Sequence, residues 1–166
     1  IISPLGDILL KTLSLSTSQF GSVVSAYAIS AGISGIMAAG FADKFDRKKL
    51  LLFFYTGFIV GTAFCAMAYN YHTLLLARIV TGLFGGVVGS ISMAIITDVF
   101  SLSQRGRVMG FVSMAFAGSQ ILGVPIGLVL ANAWGWHSTF IMVVILAVLV
   151  GTVVVFKLKP LTAHLK

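Results

Sequence analysis

The chain has 166 residues, 58% of them hydrophobic and 9% charged, with a formal net charge of +7 and a mean hydropathy of +1.08. A soluble domain needs roughly a quarter of its residues charged to make a wetted surface, so water is excluded as the main solvent and lipid takes its place. The positive charge is spread over separate short loops, which excludes a folded basic face able to follow a phosphate backbone, so no nucleic-acid partner is expected.

Residues 1–5 are apolar but too short to span, and read as the end of a span. The chain does not open on a basic region ahead of a short apolar core, so its opening is not expected to be a signal peptide. It is expected to be a stretch of something longer. Residues 6–17 are polar and serine-rich, with Asp7 and Lys11, and are expected to form an outer segment. Ser16, Thr17, Ser18 and Gln19 offer hydroxyl caps for the helix that follows.

The first full span is predicted over residues 18–41, with Ser25, Gly32, Gly35 and Ala39 as a small-residue face that lets two helices approach in lipid. The next stretch, 40–50, is the densest charged run in the chain: Gly40-Phe-Ala-Asp43-Lys44-Phe-Asp46-Arg47-Lys48-Lys49-Leu50. Apolar runs of about 20 residues flank it, each enough to cross a bilayer as a helix. It is therefore a turn between two spans, and its basic residues place it on the cytoplasmic side.

The second span is predicted over 50–69, its opening Leu-Leu-Leu-Phe-Phe facing lipid; residues 69–72 form an outer turn with tyrosines at interface depth. The third span covers 73–100, with Arg78 near its outer end, Gly82, Gly85, Gly86 and Gly89 at its middle, and Asp98 at its inner end. An inner turn follows at 101–107, with Arg105 and Arg107. The fourth span, 108–131, contains Gly118, Gln120, Gly123, Pro125 and Gly127; the outer turn 132–138 carries Trp134 and Trp136 as interface anchors. The fifth span is 139–156. The expectation is one helical bundle over 1–156 with an incomplete first helix, followed at 157–166 by the start of a cytoplasmic linker. The inner segments hold Lys44, Arg47, Lys48, Lys49, Arg105, Arg107, Lys157, Lys159 and Lys166, against Lys11 alone outside. That asymmetry sets the orientation, carboxy terminus inside.

Metal and catalytic patterns are missing, so neither a metal, a cofactor nor an enzyme is expected. There is no HExxH motif, and the single cysteine, Cys65, reads as a small hydrophobe. Ser90 and Ser92 lie at depth, but His72 and His137 fall in outer turns and His164 in the tail, too far for a serine–histidine pair.

Three constellations remain. Asp43 and Arg47 are four apart and can pair if the turn continues helically; Arg47 can also reach Asp98 at the same rim. These charges either set topology alone or form a latch that holds one arrangement of helices. Arg78 either snorkels to the outer surface or serves a function from within the span. Pro125 removes a backbone hydrogen bond, and with Gly118, Gly123 and Gly127 it either packs tightly or opens a groove for a neighbour. Tyr27 and Gln120 are the few polar candidates on the expected pore faces.

Gly40-x-x-Asp43-Lys-x-x-Arg47-Lys resembles the signature between the second and third helices of the major facilitator superfamily, Gly-x-Leu-Ala-Asp-Arg-x-Gly-Arg-Arg, with Asp46 where the family usually has glycine. Arg78-x-x-x-Gly82 is similar to that family's fourth-helix motif. Gly123-Val-Pro125-x-Gly127 looks like the fifth-helix motif of its antiporters. Arg105-Gly106 and Gly135-Trp136-x-Ser-Thr-Phe140 also fit its drug- and sugar-efflux branch. The resemblance implies an all-α polytopic membrane bundle: the end of helix one and helices two to six of a twelve-helix transporter, whose two halves rock about a central site. It implies a proton-coupled efflux antiporter for small organic molecules, drugs or sugars, in the plasma membrane. Its partners would be lipid, substrate, protons and the carboxy-terminal half. Asp43, Arg47 and Asp98 would be the inner charge latch; Arg78, with Tyr27 and Gln120, would serve substrate or coupling. Gly40, Gly82, Gly118, Gly123, Pro125 and Gly127 would shape packing and gating. Since Asp7 is outer and Asp43, Asp46 and Asp98 are inner, the protonatable group at depth is expected outside this stretch. The alternative is a non-transporting scaffold or receptor of the same fold.

Overall fold

The computed structural model describes residues 2–158. Lys159, Pro160, His164 and Lys166, and with them most of the expected linker 157–166, lie outside the described residues. The rest is helical. A 3-10 turn at Ser3–Leu5 leads into α1 (Gly6–Thr12), followed by α2 (Thr17–Phe41), a 3-10 turn (Ala42–Lys44), α3 (Arg47–Met67), α4 (Tyr71–Val99), α5 (Leu102–Trp134) and α6 (His137–Lys157). Helices α2 to α6 are each long and apolar enough to cross a membrane.

Local chemistry sets the helix starts. Ser16 accepts the amide of Gln19 at 3.1 Å while the Gln19 side chain accepts the amide of Ser16 at 3.0 Å. This reciprocal box satisfies two orphan donors and matches the expected hydroxyl cap. Asn70 and Thr73 do the same for α4, at 2.9 and 3.2 Å. For α3 the cap is Asp46, whose carboxylate accepts the amide of Lys48 at 2.8 Å. Its φ is −59°, so the position does not require glycine.

Two helices begin well before hydropathy indicates, α3 at Arg47 and α5 at Leu102. Helix α3 starts at Arg47 because Asp46 caps it. The expected inner turn 101–107 is mostly helical, since α5 starts at Leu102. There the Gln104 side chain accepts the Ser101 amide and hydroxyl, at 3.3 and 3.1 Å. Arg105 reaches back to the carbonyls of Phe100 and Thr97, at 3.1 and 2.6 Å, closing the end of α4. The expected outer segment 6–17 is also helical in its first part. Leu5 and Leu9, four residues apart, are fully buried, while Asp7 and Lys11 face outward.

Helix α2 packs on α4, and α3 packs on both α4 and α6; α5 leans mainly on α6. Two apolar clusters hold the ends. One gathers Leu5, Leu9, Val23, Leu74, Trp136 and Phe140; the other, at the end carrying the 42–44 turn, centres on Ala38, Ala42, Val87 and Ile91. Leu50, Leu51 and Phe54 pack against the second cluster. Of the run expected to face lipid, Phe53 is the member that is exposed. Trp136 is likewise corrected: it is 1% exposed, stacked on His137 and edge-on to Phe140, whereas Trp134 points outward. Gly135, at φ +86°, makes the turn that separates the two indoles.

Polar side chains tie helices together where apolar contact with a neighbour gains little over contact with lipid. The hydroxyl of Tyr55 donates to the carbonyl of Ala147 at 2.7 Å, and that of Ser90 to Gly35 at 2.9 Å. Thr139, fully buried, donates to Gly127 at 2.9 Å and fixes α6 to α5. Thr139→Val keeps the shape and removes that bond. It should destabilise the full-length protein by about 1 kcal/mol, read as a lower midpoint in SDS-driven unfolding from mixed micelles.

The small-residue face of α2 is only partly the expected one: Gly35 does meet α4. Ser30, Ser34 and Ala38 are buried, whereas Ser25, Gly32 and Ala39 are exposed and Gly35 is half-buried. The opposing face of α4 is Gly82 and Gly86. A Cβ at Gly82 would strike the Ser30 hydroxyl and lie 2.6 Å from the carbonyl oxygen of Tyr27; one at Gly86 would strike the carbonyl of Ala31.

Candidate functional site

Two polar constellations interrupt the apolar bundle. The first is at the basic end. Arg47 is the first residue of α3, so its side chain can turn back beneath the preceding 3-10 turn. Its Nη2 lies 2.6 Å from Asp43 Oδ1, and its Nε donates to Asp98 Oδ2 at 3.0 Å. The expected pairing of Asp43 and Arg47 is therefore made, although α2 does not run on through the turn. The Arg47 side chain is only 6% exposed, against 76% for Asp43 and 31% for Asp98. One buried guanidinium thus joins the α2–α3 turn to the end of α4. Beside it is a recess of about 220 Å³ lined by Gly35, Ala38, Ala39 and Ser90 as well as Asp43 and Arg47. Lys48 donates to the carbonyl of Val155 at 3.0 Å, bringing the end of α6 to the same rim.

The second is a cavity of about 420 Å³ walled by side chains from α2 through α6. Its polar lining is Tyr27, Thr62, Cys65, Arg78, Thr81 and Gln120; Phe58, Phe116 and Phe140 supply apolar wall. The three residues singled out for substrate or coupling, Arg78, Tyr27 and Gln120, come from three helices and meet here. The guanidinium carbon of Arg78 sits 4.4 Å above the centre of the Tyr27 ring, a cation–π contact. The side chain is thus held against α2 and turned to the cavity, not extended to the outer surface. Thr62 and Thr81 give their hydroxyl protons to their own helices, at Phe58 and Ala77. Cys65 lies with its sulfur 3.7 Å from the Thr81 hydroxyl.

The glycine positions divide. Gly82 is at the closest α2–α4 approach, and Gly127 is buried and receives Thr139. Gly40, Gly118 and Gly123 face open space. Pro125 lies inside a helix that continues from Leu102 to Trp134. Sequence reasoning missed Cys65, Thr62 and Thr81 as cavity residues. The available signal was their register: Thr62 is three residues before Cys65, and Thr81 three after Arg78, which is one helical turn in each case.

A family model described as the Major Facilitator Superfamily matches residues 1–166. The chain is 34% identical, over 84% of its length and 36% of the relative's, to YceJ, an uncharacterised MFS-type transporter of Bacillus subtilis. It is 26% identical, over 93% of its length and 39% of the relative's, to a probable sugar efflux transporter of Helicobacter pylori. It therefore spans under half the length of these relatives. Among solved structures it is similar in fold to a bacterial homologue of the human lysosomal transporter Spinster, captured inward-facing and occupied. The TM-score is 0.76 at 23% identity, covering 96% of this chain and 40% of the other.

Proposed function

From the premise that the chain belongs to the Major Facilitator Superfamily, we propose that it is the amino-terminal half of a secondary active transporter. It exports small organic molecules, drug-like or sugar-like, by alternating access coupled to protons. The observation that carries this reading is the cavity in which Arg78, Tyr27 and Gln120 converge from three helices. A central site between helices, with a latch at one rim, is what rocking of two halves requires. Asp43, Arg47 and Asp98 are the latch: they hold the basic end in one arrangement and part in the other. Lys44, Lys48, Lys49, Arg105 and Arg107 cluster at that end, which therefore faces the cytoplasm of a cell whose plasma membrane holds the protein.

The test is transport by the full-length protein in proteoliposomes. An imposed pH gradient should drive uptake of a fluorescent drug or a labelled sugar, and a protonophore should abolish it. Arg78→Ala should cut gradient-driven uptake at least tenfold without lowering the amount of protein reconstituted. Correctly inserted protein that moves no solute under any gradient would overturn the proposal and leave a scaffold of the same fold. Undiminished transport by Arg78→Ala would remove Arg78 from the mechanism.

A further inference from the structure

Arg78 is the one charged residue among those lining the cavity. Its Nε is buried and has no hydrogen-bond acceptor among the described residues. The ion pairs among those residues both belong to Arg47. The acidic residues of the chain, Asp7, Asp43, Asp46 and Asp98, lie outside the cavity lining. A guanidinium cannot shed its charge to relieve this, since it stays protonated in any protein setting. The Tyr27 ring covers one face of it, which meets the charge without using its N–H donors. The Gln120 amide, donor and acceptor both, also lines it. Among the described residues the lining therefore carries one positive charge with no counter-ion and is walled by Phe58, Phe116 and Phe140.

We infer that the molecule taken into this cavity is an amphipathic organic anion. An oxyanion head, carboxylate or sulfonate, docks on Arg78, and an aromatic or alicyclic body lies against the three phenylalanines. A planar guanidinium suits an oxyanion because it offers parallel N–H donors to two oxygens. Of the drug-like and sugar-like solutes proposed above this selects those bearing an acid group: a cationic drug would meet repulsion at the same point, and a neutral sugar would leave the charge unanswered. This rests on the cavity being the translocation site and names the substrate class that site takes.

The test compares two probes of one shape and different charge, 2-naphthoate and 2-naphthamide, on the full-length protein in phosphatidylcholine nanodiscs. The acid should raise the unfolding midpoint by several degrees, with at least tenfold tighter apparent binding than the amide. Arg78→Gln should abolish that preference, and Arg78→Lys should keep a weakened one. Equal or tighter binding of the amide to the unaltered protein would overturn the inference without any variant. So would a preference that survives Arg78→Gln. Phosphatidylglycerol giving the same Arg78-dependent stabilisation in place of the acid would also overturn it, in favour of a lipid headgroup. Transport of neutral or cationic solutes with no preference for the acid overturns the inference alone. Preference for the acid with no transport of any solute overturns the transporter reading and leaves the acid as a ligand of the cavity, not a cargo.

Discussion

Asp43→Asn in the full-length transporter should abolish most transport while leaving the amount inserted in the membrane unchanged. The reasoning starts from the asymmetry of exposure. Asp43 is largely open to solvent, so its own pairing with Arg47 contributes at most about 1 kcal/mol, about fivefold in an equilibrium between two arrangements. Arg47, however, is almost fully covered and is shared between Asp43 and Asp98. Removing one carboxylate leaves a buried guanidinium with half its compensation, so the arrangement that buries it loses population. A cycle that must pass through both arrangements slows in proportion. Transport normalised to membrane protein should fall by about fivefold, and Asp98→Asn should act in the same direction. Normal transport by well-inserted Asp43→Asn protein would reduce these charges to topology markers.

Gly82→Ala should cause a large loss of stability for a single-methyl change. The added carbon meets backbone of α2 as well as the Ser30 side chain, and backbone cannot swing aside as a side-chain tip can. Helices α2 and α4 must move apart, at a cost of about 1–3 kcal/mol. Gly86→Ala should behave alike, because the carbonyl of Ala31 stands in the same relation to it. Gly118→Ala is the control. Nothing lies within 4 Å of its would-be Cβ, so it should be neutral or gain about 0.5–1 kcal/mol from stiffening the helix. Unfolding midpoints in detergent separate the two kinds of glycine. Equal midpoints for Gly82→Ala and Gly118→Ala would show that α2 and α4 are not held at this spacing.

The spans were legible because hydropathy reports the length of chain that lipid must cover, and this chain has few residues that blur that signal. The Asp43–Arg47 pair was legible from its four-residue spacing, the Arg47–Asp98 contact from their shared rim, and the Ser16 cap from its hydroxyl. What stayed hidden has one physical root. Where a helix is apolar all round, polarity does not say which face meets protein, since lipid tails are as apolar as leucine. The stripe Ser25, Gly32, Gly35, Ala39 and the buried set Ser30, Ser34, Ala38 therefore look equally suitable until α4 is placed, and only Gly35 of the first set meets it. Trp136 was hidden for a related reason: an indole two residues from another reads as a second anchor until Gly135 turns it inward. Helix ends were missed where polar caps carry the helix past its apolar stretch, as at Asp46 and Ser101.

Helix α5 has 33 residues, so it measures about 50 Å from end to end. That exceeds the roughly 30 Å of hydrocarbon it must cross, and its surplus length has to tilt or project. Its buried fixture to α6, the Thr139–Gly127 bond, sits toward one end, while Arg105 ties the other to the carbonyls of Phe100 and Thr97, so a swing of that tip carries the end of α4 with it. From Gly127 to Arg105 the arm is about 33 Å. Pivoting there by 10° would sweep the arginine-bearing tip through about 6 Å, so a modest swing at one membrane surface becomes a side-chain-sized displacement at the other.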